Sequence, residues 1–268
     1  MAGGEPFARS ISIDYSDDEL DAIAEAFTRR DIARRERAGD QYDPVRRAQS
    51  QTALRGLVAR RAIALAGTAA RPRMTFLEPH ATLLGAWLGA DAVATVRHEQ
   101  RAGVRAVSLF AHDEVVVEQV ALEGLAIQRM TARGRGGAQE LLEAELAPLA
   151  GAAAALQEGD IELTRRAMTL GAEAIERGKP PPAGVPQRAA EILYARRFSG
   201  SATITARDGA GTRSAERWSW LDAGELGFWR VRSDGDAPIV RLVAADAGAL
   251  RDEVASAWAA ATAAGARA

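Results

Sequence analysis

The sequence contains no cysteine, which removes disulfides, thiolate metal sites and a cysteine nucleophile, and fits a reducing cytoplasm. Aromatic residues are scarce at 5% of 268 residues, so alanine and leucine must supply most of the packing. No apolar run approaches the roughly 18 residues that a bilayer span needs. The opening "MAGGEPFARSISIDYSDDE" also lacks a basic region followed by an apolar stretch. We therefore expect a cytoplasmic protein without stable membrane insertion. Neither sign of charge dominates, with 34 Lys+Arg against 36 Asp+Glu. The Arg-rich "TRRDIARRER" (28–37) has acidic residues interspersed and reads as a solvated helix face, so nucleic acid is not an expected partner. The remainder is ordinary for a globular chain, 47% hydrophobic and 26% charged. Its length suits one large domain or two modest ones.

The apolar spacing lays out the elements. Ser16 followed three residues later by Glu19 is a capping box, and Leu20, Ile23 and Phe27 recur at helical spacing behind it. From Pro44, "PVRRAQSQTALRGLVARRAIAL" predicts one longer helix. "RPRMTFLEP" (71–79) predicts a strand and "HATLLGAWLGAD" a short helix. Three β-rich runs follow at 92–99, 104–111 and 115–122, joined by connectors short enough for antiparallel hairpins. "AQELLEAELAPLAG" then predicts an amphipathic helix. "DIELTRRAMTLGAEAIERG" predicts a second, capped by Asp160 and ended by Gly178. "KPPPAGVP" is an extended connector, read as a rigid spacer between the halves. A helix started by Pro186, strands at 201–208, 213–222, 226–233 and 238–244, and a last helix capped by Asp246 complete the chain.

The two halves repeat an order of elements. "ATVRHEQRAGVRAVSLFAHDEVVVEQ" (94–119) and "ATITARDGAGTRSAERWSWLDAGELGFWRV" (202–231) each open a strand on Ala-Thr, turn at Ala-Gly, and turn again at an acidic residue before a third strand. We read an internal duplication. The expected fold is α/β of the α+β kind, a central, mostly antiparallel sheet with flanking helices and pseudo-twofold symmetry. The duplicated subdomains are expected at 1–150 and 151–268 of a single domain. Three of the five tryptophans, Trp218, Trp220 and Trp229, stand in the second copy where the first carries valines. They either fill a core or form an aromatic patch for a partner.

Sites of chemistry are sparse. His98 and His112 are separated by a strand of about seven residues, hence by about 20 Å, too far to share a metal within that strand. "RGRGG" (133–137) precedes a helix but lacks the residues of a phosphate loop. We expect no catalytic residue, metal or cofactor.

The opening "IDYSDDELDAI", the helix "ALRGLVARRAIAL" and the C-terminal run from "SATITARDGAGTRSAERWSWLDAGELGFWRVRS" to "PIVRLVAADAGALRDEV" together resemble the EspG family, cytosolic proteins of the ESX (type VII) secretion systems of actinobacteria. The resemblance implies a non-enzymatic chaperone that keeps helical secretion substrates, PE/PPE-like or WxG-like, soluble for export. It also implies that the client is engaged by a loop mapping to Glu99, Gln100, Arg101, Ala102 and Gly103; Trp229, from the aromatic patch read above, is a further contact candidate. When free the protein is expected to be a monomer or weak homodimer. Two alternatives stand beside this reading: an enzyme with an unrecognised small-molecule site built from groups such as His80, Glu78 or Asp222, and a self-associating structural module.

Overall fold

The structure, a computed structural model, describes residues 10–27, 44–68, 71–100, 103–155, 159–180, 182, 184–207, 213–233 and 238–265. The first half runs β1 (Ile11–Ser16), α1 (Asp17–Phe27), α2 (Pro44–Ala59), β2 (Ile63–Thr68), β3 (Arg71–Phe76) and α3 (His80–Gly89). It continues through β4 (Ala92–Gln100), β5 (Gly103–His112), β6 (Val115–Ala121), β7 (Ile127–Gly134) and α4 (Ala138–Leu146). The second half runs β8 (Asp160–Thr164), α5 (Arg165–Glu176), α6 (Gln187–Tyr194) and β9 (Phe198–Arg207). It closes with β10 (Arg213–Asp222), β11 (Phe228–Arg232), β12 (Ile239–Ala244) and α7 (Ala247–Gly265).

Ten of these strands form one sheet in the order β1-β7-β6-β5-β4-β9-β10-β11-β12-β8, and β2 pairs with β3 in a separate hairpin. The order reads the same from either edge. Each half supplies an edge strand, helices, a four-stranded meander and a closing helix, and the first strands of the two meanders, β4 and β9, pair antiparallel at the centre. Both edge strands pair antiparallel with the last strand of their own meander, β1 with β7 and β8 with β12. The expected α+β architecture of a large antiparallel sheet with flanking helices is therefore present.

Local chemistry explains the corners. Glu19 N–H donates to Ser16 Oγ at 3.2 Å and Ser16 N–H to Glu19 Oε2 at 2.9 Å, so the last residue of β1 caps α1. The last residue of β8 does the same for α5, where Thr164 Oγ1 accepts from Ala167 N–H at 3.0 Å. This differs from the expected helix start at Asp160: residues 160–164 extend because they pair with Ile239–Val243 of β12. The long helix expected from Pro44 also stops early, at Ala59. Arg61 adopts φ +60° there, and the bonds Ala62 N–H to Leu57 O (2.8 Å) and Arg61 N–H to Val58 O (3.0 Å) close the helix end. "IALAGT" is thereby released into β2. Gly178 ends α5 as expected, at φ +64°, with the matching bonds Lys179 N–H to Ala174 O and Gly178 N–H to Ile175 O. "KPPPAGVP" joins α5 to α6 rather than one half to the other.

Two compact units result. One comprises 1–91 and 109–138, the other 92–108 and 139–268, so the first meander strand clusters with the second half of the chain. In the first unit Tyr15, Ile23, Leu57, Leu83, Leu84 and Met130 are fully enclosed. The second unit has apolar residues on both sheet faces. On one face α7 sets the expected stripe Leu250, Val254 and Trp258 among the buried residues, with Trp218 and Trp220 on β10. On the other, Leu163, Ile192, Leu193, Leu221, Trp229 and Leu242 form a second cluster.

Candidate functional site

The turn singled out in the sequence joins β4 to β5. Glu99 and Gln100 end β4 opposite Ser199 and Phe198 of β9, and Gly103 begins β5. Arg101 and Ala102 lie outside the described residues. Glu99 and Gln100 form one wall of a groove of about 550 Å³. Its other walls come from the ends of two helices: Ile175 and Gly178 at the close of α5, and Leu193 and Tyr194 at the close of α6, followed by Arg196 and Arg197.

Each element has a reason to end there. Gly178 takes the left-handed conformation that turns the chain after α5, and the Tyr194 hydroxyl donates to the Lys179 carbonyl, tying the two helix ends together. Arg197 is moored to the sheet, its N–H donating to Asp222 O at 2.8 Å and its guanidinium standing 3.9 Å from the Asp222 carboxylate. That carboxylate is buried and also accepts from Gly224 N–H at 2.9 Å. The result is amphiphilic. Ile175 and the Tyr194 ring offer apolar surface above the buried Leu193, while Glu99, Gln100, Arg196 and Arg197 offer polar and charged groups around it.

Trp229 is not part of this surface. It is 1% exposed, and its indole N–H donates to Leu226 O at 3.0 Å. The cross-strand partner of Trp229 is Leu221, so its ring lies on the face opposite Trp218 and Trp220. The three tryptophans fill two interiors instead of forming one aromatic patch. Trp220 is seated over Gly200, where a Cβ would lie 2.6 Å from the indole, so the close approach requires glycine.

The histidines do not come together on a reacting centre. His98 is buried, and its Nε2–H donates to Glu145 O at 2.7 Å, the last turn of α4. Glu145 in turn accepts both Arg105 Nε–H (3.2 Å) and Nη2–H (2.8 Å). His80, at the start of α3 as expected, lies 2.6 Å from the Tyr15 hydroxyl through Nδ1. Burial and the nearby Arg60 cation hold its pKa below the usual histidine value. Burial likewise pushes the Tyr15 hydroxyl well above its ordinary range. Glu78 accepts from Thr82 at 2.9 Å. His80 and Glu78 belong to the first unit and Asp222 to the second, and each already has its own partners. Among the described residues one set could approach a cation, Asp91, His112 and Asp113. Both His112 nitrogens already face carboxylates, Nδ1 at 3.1 Å from Asp91 and Nε2 at 3.5 Å from Asp113, which accounts for the cluster as a turn closed by its own side chains.

The helix ends that complete the groove were visible in the sequence as elements but not as neighbours. "LYARR" reads as the end of a helix, and only the tie between Tyr194 and Lys179 brings it beside Gly178.

No protein-family model matches the sequence, and no curated protein matches it. Among solved structures, the chain is similar to the type VII secretion system chaperone EspG5 of Mycobacterium tuberculosis, determined in complex with a PE25-PPE41 dimer. The identity is 11%, the match covers 94% of this chain and 96% of that one, and the TM-score is 0.46. Figures of that size do not by themselves make the chain a member of that family.

Proposed function

We propose that the protein is a cytosolic chaperone or adaptor that holds a helical secretion substrate of PE/PPE-like or WxG-like kind in a soluble complex. The observation that carries the reading is the groove beside the β4–β5 turn, because it is formed partly by the Glu99 and Gln100 that the resemblance marks for client contact. The geometry suits the apolar tip of a helical hairpin. Ile175 and Tyr194 would bury its apolar side chains. Glu99 would accept from the free N–H groups of a helix start, and Arg196 and Arg197 would meet the free carbonyls of a helix end. Such a partner has apolar surface that would otherwise face water, and covering it is what keeps it soluble. Among the described lining residues there is one carboxylate and no histidine, so these residues offer no acid and base pair of the kind that general catalysis uses.

Co-expression with helical-hairpin proteins encoded beside this gene tests the reading. A soluble heterocomplex is expected, and Tyr194→Asp, which places a charge on an exposed wall of the groove, should abolish it. Failure of the folded protein to hold any such neighbour in solution would count against the chaperone reading.

A further inference from the structure

The face of the sheet that carries Glu99 continues away from the groove along β4, β9 and β10 of the second unit. Register fixes what stands on it. Arg213 pairs with Arg207, Arg217 with Thr203, Thr203 with Thr95, and Arg97 with Ser201. Directly paired residues share a face. Arg97, Arg207, Arg213 and Arg217 thus stand with Thr95 and Thr203 on the side opposite the buried Val96, Ala202, Ile204 and Trp218. Arg97, Arg213 and Arg217 are exposed and Arg207 is half-buried.

Three of these cations have no ion-pair partner among the described residues: Arg207, Arg213 and Arg217. Among the described residues Arg97 has Glu99 alone, at 3.9 Å. The other carboxylates on these strands do not help. Glu216 projects to the opposite face, since it pairs with the buried Ile204, and Asp222 is enclosed beside Arg197. Arg207 and Arg213 are moreover direct cross-strand neighbours, an arrangement of like charges that disfavours the hairpin unless something anionic lies across it. At about 3.3 Å per residue and about 4.8 Å per strand, the four guanidinium-bearing positions span about 20 Å.

We propose that this arginine stripe is a docking surface for an acidic polypeptide segment. Guanidinium forks match carboxylates in geometry as well as charge, and the threonine hydroxyls between them add donors. The stripe carries no aromatic side chain, and surfaces that hold single-stranded nucleic acid use aromatic stacking platforms. That favours a polypeptide over an oligonucleotide. The surface does not need the groove to be occupied.

The test uses the full chain and a fluorescent peptide of about eight alternating Glu and Asp residues, the length that spans the stripe when extended. Anisotropy titration should show binding that weakens by about tenfold or more between low and physiological salt, as expected for exposed charges. The triple variant Arg207→Gln/Arg213→Gln/Arg217→Gln should lose that binding while its thermal unfolding temperature stays the same or rises, since the like-charge pair is removed. The Arg→Lys triple variant should retain part of it, and Tyr194→Asp in the groove should leave it intact. Absence of peptide binding at low salt, or equal binding by the glutamine variant, overturns the proposal. So does tighter binding of oligothymidylate or of phosphatidylserine vesicles at the same residues, or self-association of the chain that the glutamine variant abolishes.

Discussion

In the first unit the interior beneath β6 and β7 is made from Tyr15, Val117, Met130, Ile23 and a pair of leucines on α3; in the second, three tryptophans do much of the same work from β10 and β11. The topology of the two halves is alike, down to an edge strand whose last residue caps the next helix, Ser16 in one and Thr164 in the other. What differs is the filling. A repeated backbone constrains strand order and corners, while the volume between layers can be filled by several small side chains or a few large ones. The first half also inserts the β2–β3 hairpin and α3, and the second instead brings two helix ends together at the groove. The repeated strand order is thus separable from the local surface each half presents.

The largest effect should come from the filling. Trp229→Ala is expected to lower unfolding free energy by about 3–5 kcal/mol in urea titration, as for other buried aromatic truncations. A loss under about 1 kcal/mol would mean that the ring is not packed and would revive its reading as a surface contact. Next is Gly200→Ala, whose methyl would meet the Trp220 indole at 2.6 Å. Overpacking of that kind costs about 1–3 kcal/mol, and the double variant with Trp220→Leu should recover part of it. The two corners then allow a direct comparison: Ser16→Ala and Thr164→Ala should each cost about 1 kcal/mol. Unequal costs would show that the capping box at Ser16, reciprocated by Glu19, is worth more than the single bond at Thr164.

The smallest effect concerns acid. Glu253 on α7 accepts Arg230 through both oxygens (2.7 and 3.0 Å) and the Trp218 indole N–H (2.9 Å). The Arg230 guanidinium, with help from Trp218, holds its carboxyl below the ordinary glutamate range. A depressed folded-state pKa gives stability that is present above the unfolded value, about 4.3, and is lost as pH falls through the folded one. Glu253→Gln should therefore flatten the acid side of the stability profile below about pH 5 and leave its shape unchanged near neutrality. In the first unit the exposed Asp14 carboxyl is likewise held below its ordinary range, by the hydrogen bond from the Arg129 guanidinium. Its contribution should vanish first as salt is raised.

Much of this fold was legible because hairpins and caps are local. The strands of both meanders through β6, the capping box at Ser16, the turn at Gly178 and the α7 stripe all follow from neighbouring residues. The misses are non-local. β7, "IQRMTARG", is polar on its surface, and its pairing with β1 shows itself in the Arg129–Asp14 bond, whose members lie far apart in sequence. β8 is five residues with acidic character and looks like a helix start until β12 is beside it. Arg61 in a left-handed turn where glycine is usual hid the end of α2. Of the residues lining the groove, Glu99 and Gln100 were singled out through the resemblance, whereas Leu193, Tyr194 and Arg197 depended on how two helix ends meet. The basic stretch at 28–37 lies outside the described residues.

The groove can be tested without assuming which residues matter. Amide hydrogen exchange of the chain alone and of its complex with a helical-hairpin partner should show new protection concentrated at 99–100, 175–178 and 193–197, and little change along α2. Protection that instead gathers on the first unit, with those three segments unaltered, would contradict the assignment of the groove as the client site.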